Sequence, residues 1–192
     1  MAIRHPRAIS AFVLLVSLAM LAGDAPTPPE SATTQPDDPT RVELELRGHV
    51  FKLELAATPV SWSRGLSDRE AIDTDGGMLF VYPSSRRLNF WMRYCQTDID
   101  VIFVDARGRV TARYAMPREA PRGARESEER YEARLPRYSS RFPVQFAIEL
   151  APGWLEELDI QVGERLDLDF NAFRRLAREH RTRRAAPSRP RR

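Results

Sequence analysis

From Val42 to Leu55 apolar residues fall on every second position, with one break at Gly48. Val42, Leu44 and Leu46 alternate with Glu43, Glu45 and Arg47; Phe51, Leu53 and Leu55 alternate with Lys52 and Glu54. A period of two puts one set on a covered face, so this stretch predicts a half-exposed β-hairpin. The middle of the chain is patterned more densely. Short apolar runs at Met78–Tyr82, Leu88–Arg93 and Ile99–Val104 are bounded by Gly76-Gly77, Pro83-Ser84-Ser85 and Ala106-Arg107-Gly108. They read as strands, and Ile99–Val104 is apolar on both parities, which predicts cover on both faces. Val110–Ala115, Phe142–Leu150 and Leu166–Phe170 read as further strands.

Helical signals are weaker. Thr58-Pro59 is an N-cap followed by a proline at the first helical position. Ser67-Asp68-Arg69-Glu70 has the spacing of a capping box. Further short helices are predicted around Ser127–Ala133, from Pro152-Gly153 through Leu158, and over Asn171–His180. About seven or eight short strands with few helices give an all-β class, mainly β with short peripheral helices: a compact antiparallel sandwich or barrel-like domain.

The 192 residues divide into four parts. Residues 1–23 have a basic start (Arg4, His5, Arg7) and the apolar segment Ala8–Ala22, short of the about 20 residues a spanning helix needs. That layout predicts a signal peptide cleaved near Ala22-Gly23, and hence an exported protein, periplasmic or extracellular; the alternative is an uncleaved anchor. Asp24 stands where a lipid-bearing cysteine would be, so no lipoprotein is expected. Residues 24–40, rich in Pro, Thr, Ser and Asp, predict a disordered linker. Residues 41–170 form the β-rich domain, and residues 171–192 a terminal helix and a basic tail. Cys95 is the sole cysteine, so an apolar core without disulfides holds the domain. The net charge is +3, and Lys52 is the only lysine.

An ordered set of motifs carries a family resemblance. It runs through Arg64-Gly65-Leu66 with Arg69, Gly77-Met78-Leu79-Phe80, Phe90-Trp91-Met92, Asp100 with Phe103 and Asp105, Met116-Pro117, Ala147-Ile148-Glu149-Leu150 with Gly153, and Val162-Gly163. From about Val42 to Asp169 the chain resembles the uncharacterised family called domain of unknown function 192. The resemblance implies a compact β-rich domain, often on exported proteins, and no established activity. The family pattern runs Phe-Trp-Met-Lys-Asn-Thr and then Pro-Leu-Asp. This chain has Phe90-Trp91-Met92-Arg93-Tyr94-Cys95 and Asp98-Ile99-Asp100, and its charged segment from Arg118 to Arg137 is an elaboration.

Three groups of residues could carry chemistry. Asp98 and Asp100, two apart, would share one side of a strand and could act as acid and base; a solvated strand entry is the plainer role. Trp91, Arg93 and Tyr94 offer aromatic faces and a guanidinium, a stacking platform beside an anion fork, while Phe90 and Met92 suit the core. Arg64 and Arg69 could bind an anion with Asp100 as counter-charge, or form a structural ion pair. Cys95 has no histidine in the neighbouring motifs, and His5, His49 and His180 are scattered, so neither a Cys–His nucleophile nor a zinc site is expected. Gly76-Gly77 is a turn, not a phosphate loop.

The expectation is a non-catalytic exported domain that binds a small polar or cell-envelope ligand, or a protein partner. Its binding face would be Trp91, Arg93, Asp100, Arg64 and Arg69, with no metal, no cofactor and no specific nucleic-acid partner. The alternatives are a hydrolase-like enzyme using Asp98 and Asp100, and an interaction protein acting through the Arg-rich tail. Membrane contact is expected only through an uncleaved N-terminal segment.

Overall fold

The computed structural model describes residues 40–185. The expected signal segment, the expected linker up to residue 39 and the tail from residue 186 lie outside the described residues. Arg41–Leu46 (β1) and His49–Ala56 (β2) form the expected hairpin, with Val42 paired to Leu53 and Leu44 to Phe51. Alternation is strict on β1, where every second residue is buried.

Four more strands extend the sheet: Gly76–Arg86 (β3), Ile99–Val104 (β5), Val110–Met116 (β6) and Val144–Leu150 (β8). The order is β1-β2-β3-β8-β5-β6, and a separate two-stranded ribbon joins Asn89–Phe90 (β4) to Tyr138–Ser139 (β7). The domain is therefore mainly β, sandwich-like and not closed into a barrel. The sheet is mixed: β2 and β3 run parallel and the other pairs antiparallel. A parallel pair needs a crossover rather than a tight turn. The crossover carries the short helix Pro59–Arg64 (α1), capped by Thr58 and Ser61 in a reciprocal capping box.

The central strands β5 and β8 and the first half of β3 are buried on both faces, as the two-parity pattern of β5 predicts. On one face Phe51, Leu53, Leu79, Val81, Ile102, Phe146 and Ile148 pack against Trp154–Glu157 (α3) and Phe170–Ala185 (α4), through Leu155, Phe170, Phe173 and Ala177. On the other, Met78, Phe80, Tyr82, Val101, Phe103 and Ala147 meet Leu66, Leu88 and Met92 from the covering loops. Gly77 permits the close pairing of β3 and β8: a Cβ there would sit 2.0 Å from the Glu149 carbonyl oxygen.

Several sequence expectations are corrected. Leu88–Arg93 is not a strand of the main sheet; only Asn89–Phe90 pairs, with β7. Leu88 and Met92, four apart, both turn inward while the backbone crosses over the sheet. Ser67-x-x-Glu70 forms no helix, because the Ser67 hydroxyl donates to the Arg93 carbonyl instead of capping. Leu166–Phe170 makes no strand: a single bridge joins Arg109 to Arg165, and Phe170 opens α4, where Asp169 accepts from the Ala172 N–H at 2.9 Å. Ser127 does cap a helix, Glu128–Arg134 (α2), inside the charged elaboration.

Candidate functional site

The covering loops leave a cavity of about 190 Å³ on the second face of the sheet. Its wall is aromatic. Trp62 of α1 stacks on Tyr82 of β3 at 4.7 Å between ring centres, and its indole N–H donates to the Ala56 carbonyl at 3.0 Å. Phe80 and Phe90 meet at 4.9 Å, and Phe90 continues to Phe103 at 5.0 Å. Trp91 completes the lining, with the Arg137 guanidinium 3.6 Å from its ring centre.

Glu149 of β8 also lines the cavity, and it is unusual in its setting. It is 6% exposed, on a strand buried along its whole length. Its Oε2 has no hydrogen-bond partner. Burial pushes its carboxyl up to about 8. A buried carboxylate without a partner carries its full desolvation cost, so the proton is retained at neutral pH. Burial, with Glu149 as a smaller cause, also raises the Tyr82 phenol and pushes the Cys95 thiol up to about 12. Cys95 is thus a lining residue whose thiol is held protonated at neutral pH, which slows it as a nucleophile.

The sequence-predicted residues divide between sites. Arg64, Trp91 and Arg93 line this one cavity. Arg64 is exposed and makes no ion pair among the described residues. Arg93 is already engaged, paired with Glu128 at 2.7 Å and Glu132 at 2.8 Å. The Tyr94 hydroxyl donates to Glu128 at 2.6 Å, and the Tyr94 N–H donates to the Tyr131 hydroxyl at 2.9 Å. Two of the stretches expected to depart from the family pattern, Arg93-Tyr94 and the 118–137 segment, are therefore built against each other through α2.

Arg69 lies apart, paired with Glu54 at 2.6 Å in a neighbouring polar recess. Asp100 is on the opposite face of the sheet, which corrects its expected place beside Trp91 and Arg64. There its Oδ2 accepts from the Leu155 N–H at 2.9 Å, and the Gly153 and Trp154 amides also favour its charged form. Burial nevertheless raises its pKa on balance. Asp98 is exposed and accepts from the Arg118 N–H at 2.8 Å. No cluster of metal-ligating side chains occurs among the described residues. Sequence reasoning missed Glu149, Trp62 and Tyr82 as site residues. The available signal was Glu149 itself, the sole ionisable residue in the apolar run Val144–Leu150.

A larger cavity of about 500 Å³ lies between Tyr94, Cys95 and Arg118–Pro121. No unpartnered buried polar side chain lines it, so the smaller, aromatic cavity is the stronger candidate.

The profile of the conserved family DUF192, described as an uncharacterised ACR, matches residues 41–168. The chain belongs to DUF192. No curated protein matches it. Among solved structures, this DUF192 chain is similar to a protein of Sinorhizobium meliloti 1021 described as a candidate transcription regulator. The two are 27% identical over 67% of this chain and 92% of that one, with a TM-score of 0.52. A protein of unknown function from Novosphingobium aromaticivorans DSM 12444 is also 27% identical, over 61% of this chain and 74% of that one, with a TM-score of 0.49. Every element that builds the cavity lies inside the matched DUF192 range, so the pocket is made by the family domain and not by the terminal segments.

Proposed function

We propose that this DUF192 domain is an exported, non-catalytic binding module that holds a small polar ligand in the cavity around Glu149. One observation carries the reading: an unpartnered, buried carboxyl lines an aromatic cavity that also includes Arg64, Trp91 and Arg93. Apolar walls with a few convergent polar groups and a perturbed ionisable residue are the usual composition of a small-ligand site. Export rests on the N-terminal pattern of a basic start and a fifteen-residue apolar segment.

Asp98 and Asp100 do not enter this reading. Each accepts a backbone N–H, and Asp100 faces the α3 side of the sheet, away from the cavity. The regulator role in the description of the Sinorhizobium protein belongs to that protein, and no ligand is carried over from it.

A thermal-shift screen of small polar metabolites and cell-envelope saccharides tests the reading. A ligand that stabilises the wild type should lose its effect on Trp91→Ala and Trp62→Ala variants that remain folded. A ligand that stabilises both variants as well as the wild type places binding elsewhere. The mass of the mature protein tests export: removal of about residues 1–23 supports it, and an intact N-terminus on secreted protein contradicts cleavage.

A further inference from the structure

We propose, resting on that reading, that the ligand is a small zwitterion: its ammonium end meets Glu149 among the rings and its anionic end meets Arg64. The cavity is built as two charge environments at different depths. Inside, the aromatic side chains of Trp62, Tyr82, Phe80 and Phe90 line the same cavity as a carboxyl whose Oε2 accepts nothing from the protein. Ring faces attract cations, and a carboxylate in a water-poor site selects a donor that is itself charged.

The protein's own cations do not fill that need. Arg93 is held by Glu128 and Glu132, and Arg137 lies over Trp91. Arg64 lines the cavity but is exposed, and no salt bridge joins it to Glu149. A lone cation would enter past this guanidinium unfavourably. A ligand with an anionic group at its outer end would use it, and a planar guanidinium suits a carboxylate. A volume of about 190 Å³ restricts the ligand to a few heavy atoms.

Binding then has a proton signature. Glu149 holds a proton in the free protein and gives it up to become the counter-ion of the ammonium group. The other groups facing it do not titrate in the same range: Tyr82 from β3 and Cys95 from the turn after Trp91 are both raised by burial. The guanidinium groups beside it are those of Arg64 from α1 and of Arg93, the latter raised further by its hydrogen bond to Glu128. Up to one proton is therefore released per ligand bound at neutral pH, and affinity increases as pH rises toward about 8.

The test titrates the full chain with four molecules of similar length: 4-aminobutanoate, butylammonium, butanoate and 1,4-butanediol. The ¹⁵N–¹H signals of the Trp62 and Trp91 indoles report occupancy, and calorimetry in two buffers of different ionisation enthalpy reports proton release. The expected order is 4-aminobutanoate first, butylammonium about tenfold weaker, and the other two weaker still. Glu149→Gln should abolish both the tight binding and the proton release. Arg64→Ala should reduce 4-aminobutanoate to the affinity of butylammonium and leave butylammonium no weaker. Butanediol binding as tightly as 4-aminobutanoate, with both indoles shifted and no proton released, would overturn the zwitterion while leaving the pocket as a binding site. If none of the four moves either indole, the zwitterion also falls, and the broader thermal-shift screen then decides whether the pocket binds anything.

Discussion

The two faces of the sheet each contain a buried carboxylate, and the two acids have opposite fates. Asp100 and Glu149 sit one residue out of step on adjacent strands, β5 and β8: Asp100 pairs with Leu150, and Val101 with Glu149. That single step sends them to opposite sides. Asp100, 3% exposed, faces the amides that open α3 and is satisfied by backbone donors. Glu149, 6% exposed, faces the loop-covered side and has an oxygen with no partner. Burial raises both, but backbone donors oppose the shift at Asp100 and no donor opposes it at Glu149. A satisfied buried acid is part of the scaffold. An unsatisfied one costs stability and marks a place where a ligand can supply the missing donor.

The largest effect that would break this contrast is the pH dependence of stability. The Glu149 carboxyl is raised from an ordinary value of 4.5 to about 8 in the folded protein. Its favourable protonated state is fully present below the unfolded value and is lost as pH rises through about 8. The loss approaches, to order of magnitude, about 5 kcal/mol at the alkaline limit. Urea unfolding at pH 6 and pH 9 should show about half of this decline, about 3 kcal/mol, in the wild type and little of it in Glu149→Gln. An equal decline in both would assign the effect to other groups.

Next in size, Asp100→Ala should destabilise by about 2–3 kcal/mol, since it strips a charged acceptor from buried backbone donors. The same measurement on Glu149→Gln at pH 9 should show a gain. If both variants lose similar stability, the two acids are equivalent and the contrast fails.

Arg69→Ala should cost about 1–3 kcal/mol, between the values for exposed and buried pairs. Its side chain is 34% exposed, but Glu54, its partner, is 10% exposed and would be left without its cation. A loss below about 0.5 kcal/mol in urea unfolding would make the recess a solvent-like surface. The smallest effect concerns Cys95. With its thiol pushed up to about 12, iodoacetamide should alkylate it at pH 8 much more slowly than a free thiol whose pKa is about 8.5. Rapid alkylation would show that the loop over this face opens readily.

Much of the fold was legible in local pattern. The hairpin β1–β2, the core strands Met78–Tyr82 and Ile99–Val104, the cap at Thr58 and the helix around Ser127–Ala133 all rest on neighbours in sequence. Leu88–Arg93 and Leu166–Phe170 misled because short apolar runs that pack onto a sheet look like strands within it. In the site, aromatic and cationic character singled out Trp91, Arg93 and Arg64, and all three do line one cavity. Asp100 was misplaced because parity on β5 fixes which residues share a face, not which face holds the pocket.

By itself, the sequence determined the mainly-β class, the family and the burial of β5 on both faces, because alternation and turn residues act over a few positions. Only the tertiary structure decided how the two acids differ. Whether a buried carboxyl finds a donor depends on which loop closes over it. Here that loop comes from α1 and the Leu88–Cys95 crossing, more than fifty residues from Glu149 in the chain. The parallel pairing of β2 with β3, the closeness of Gly77 to Glu149 and the clamp of α2 on Arg93 and Tyr94 are likewise long-range contacts. No local periodicity encodes them.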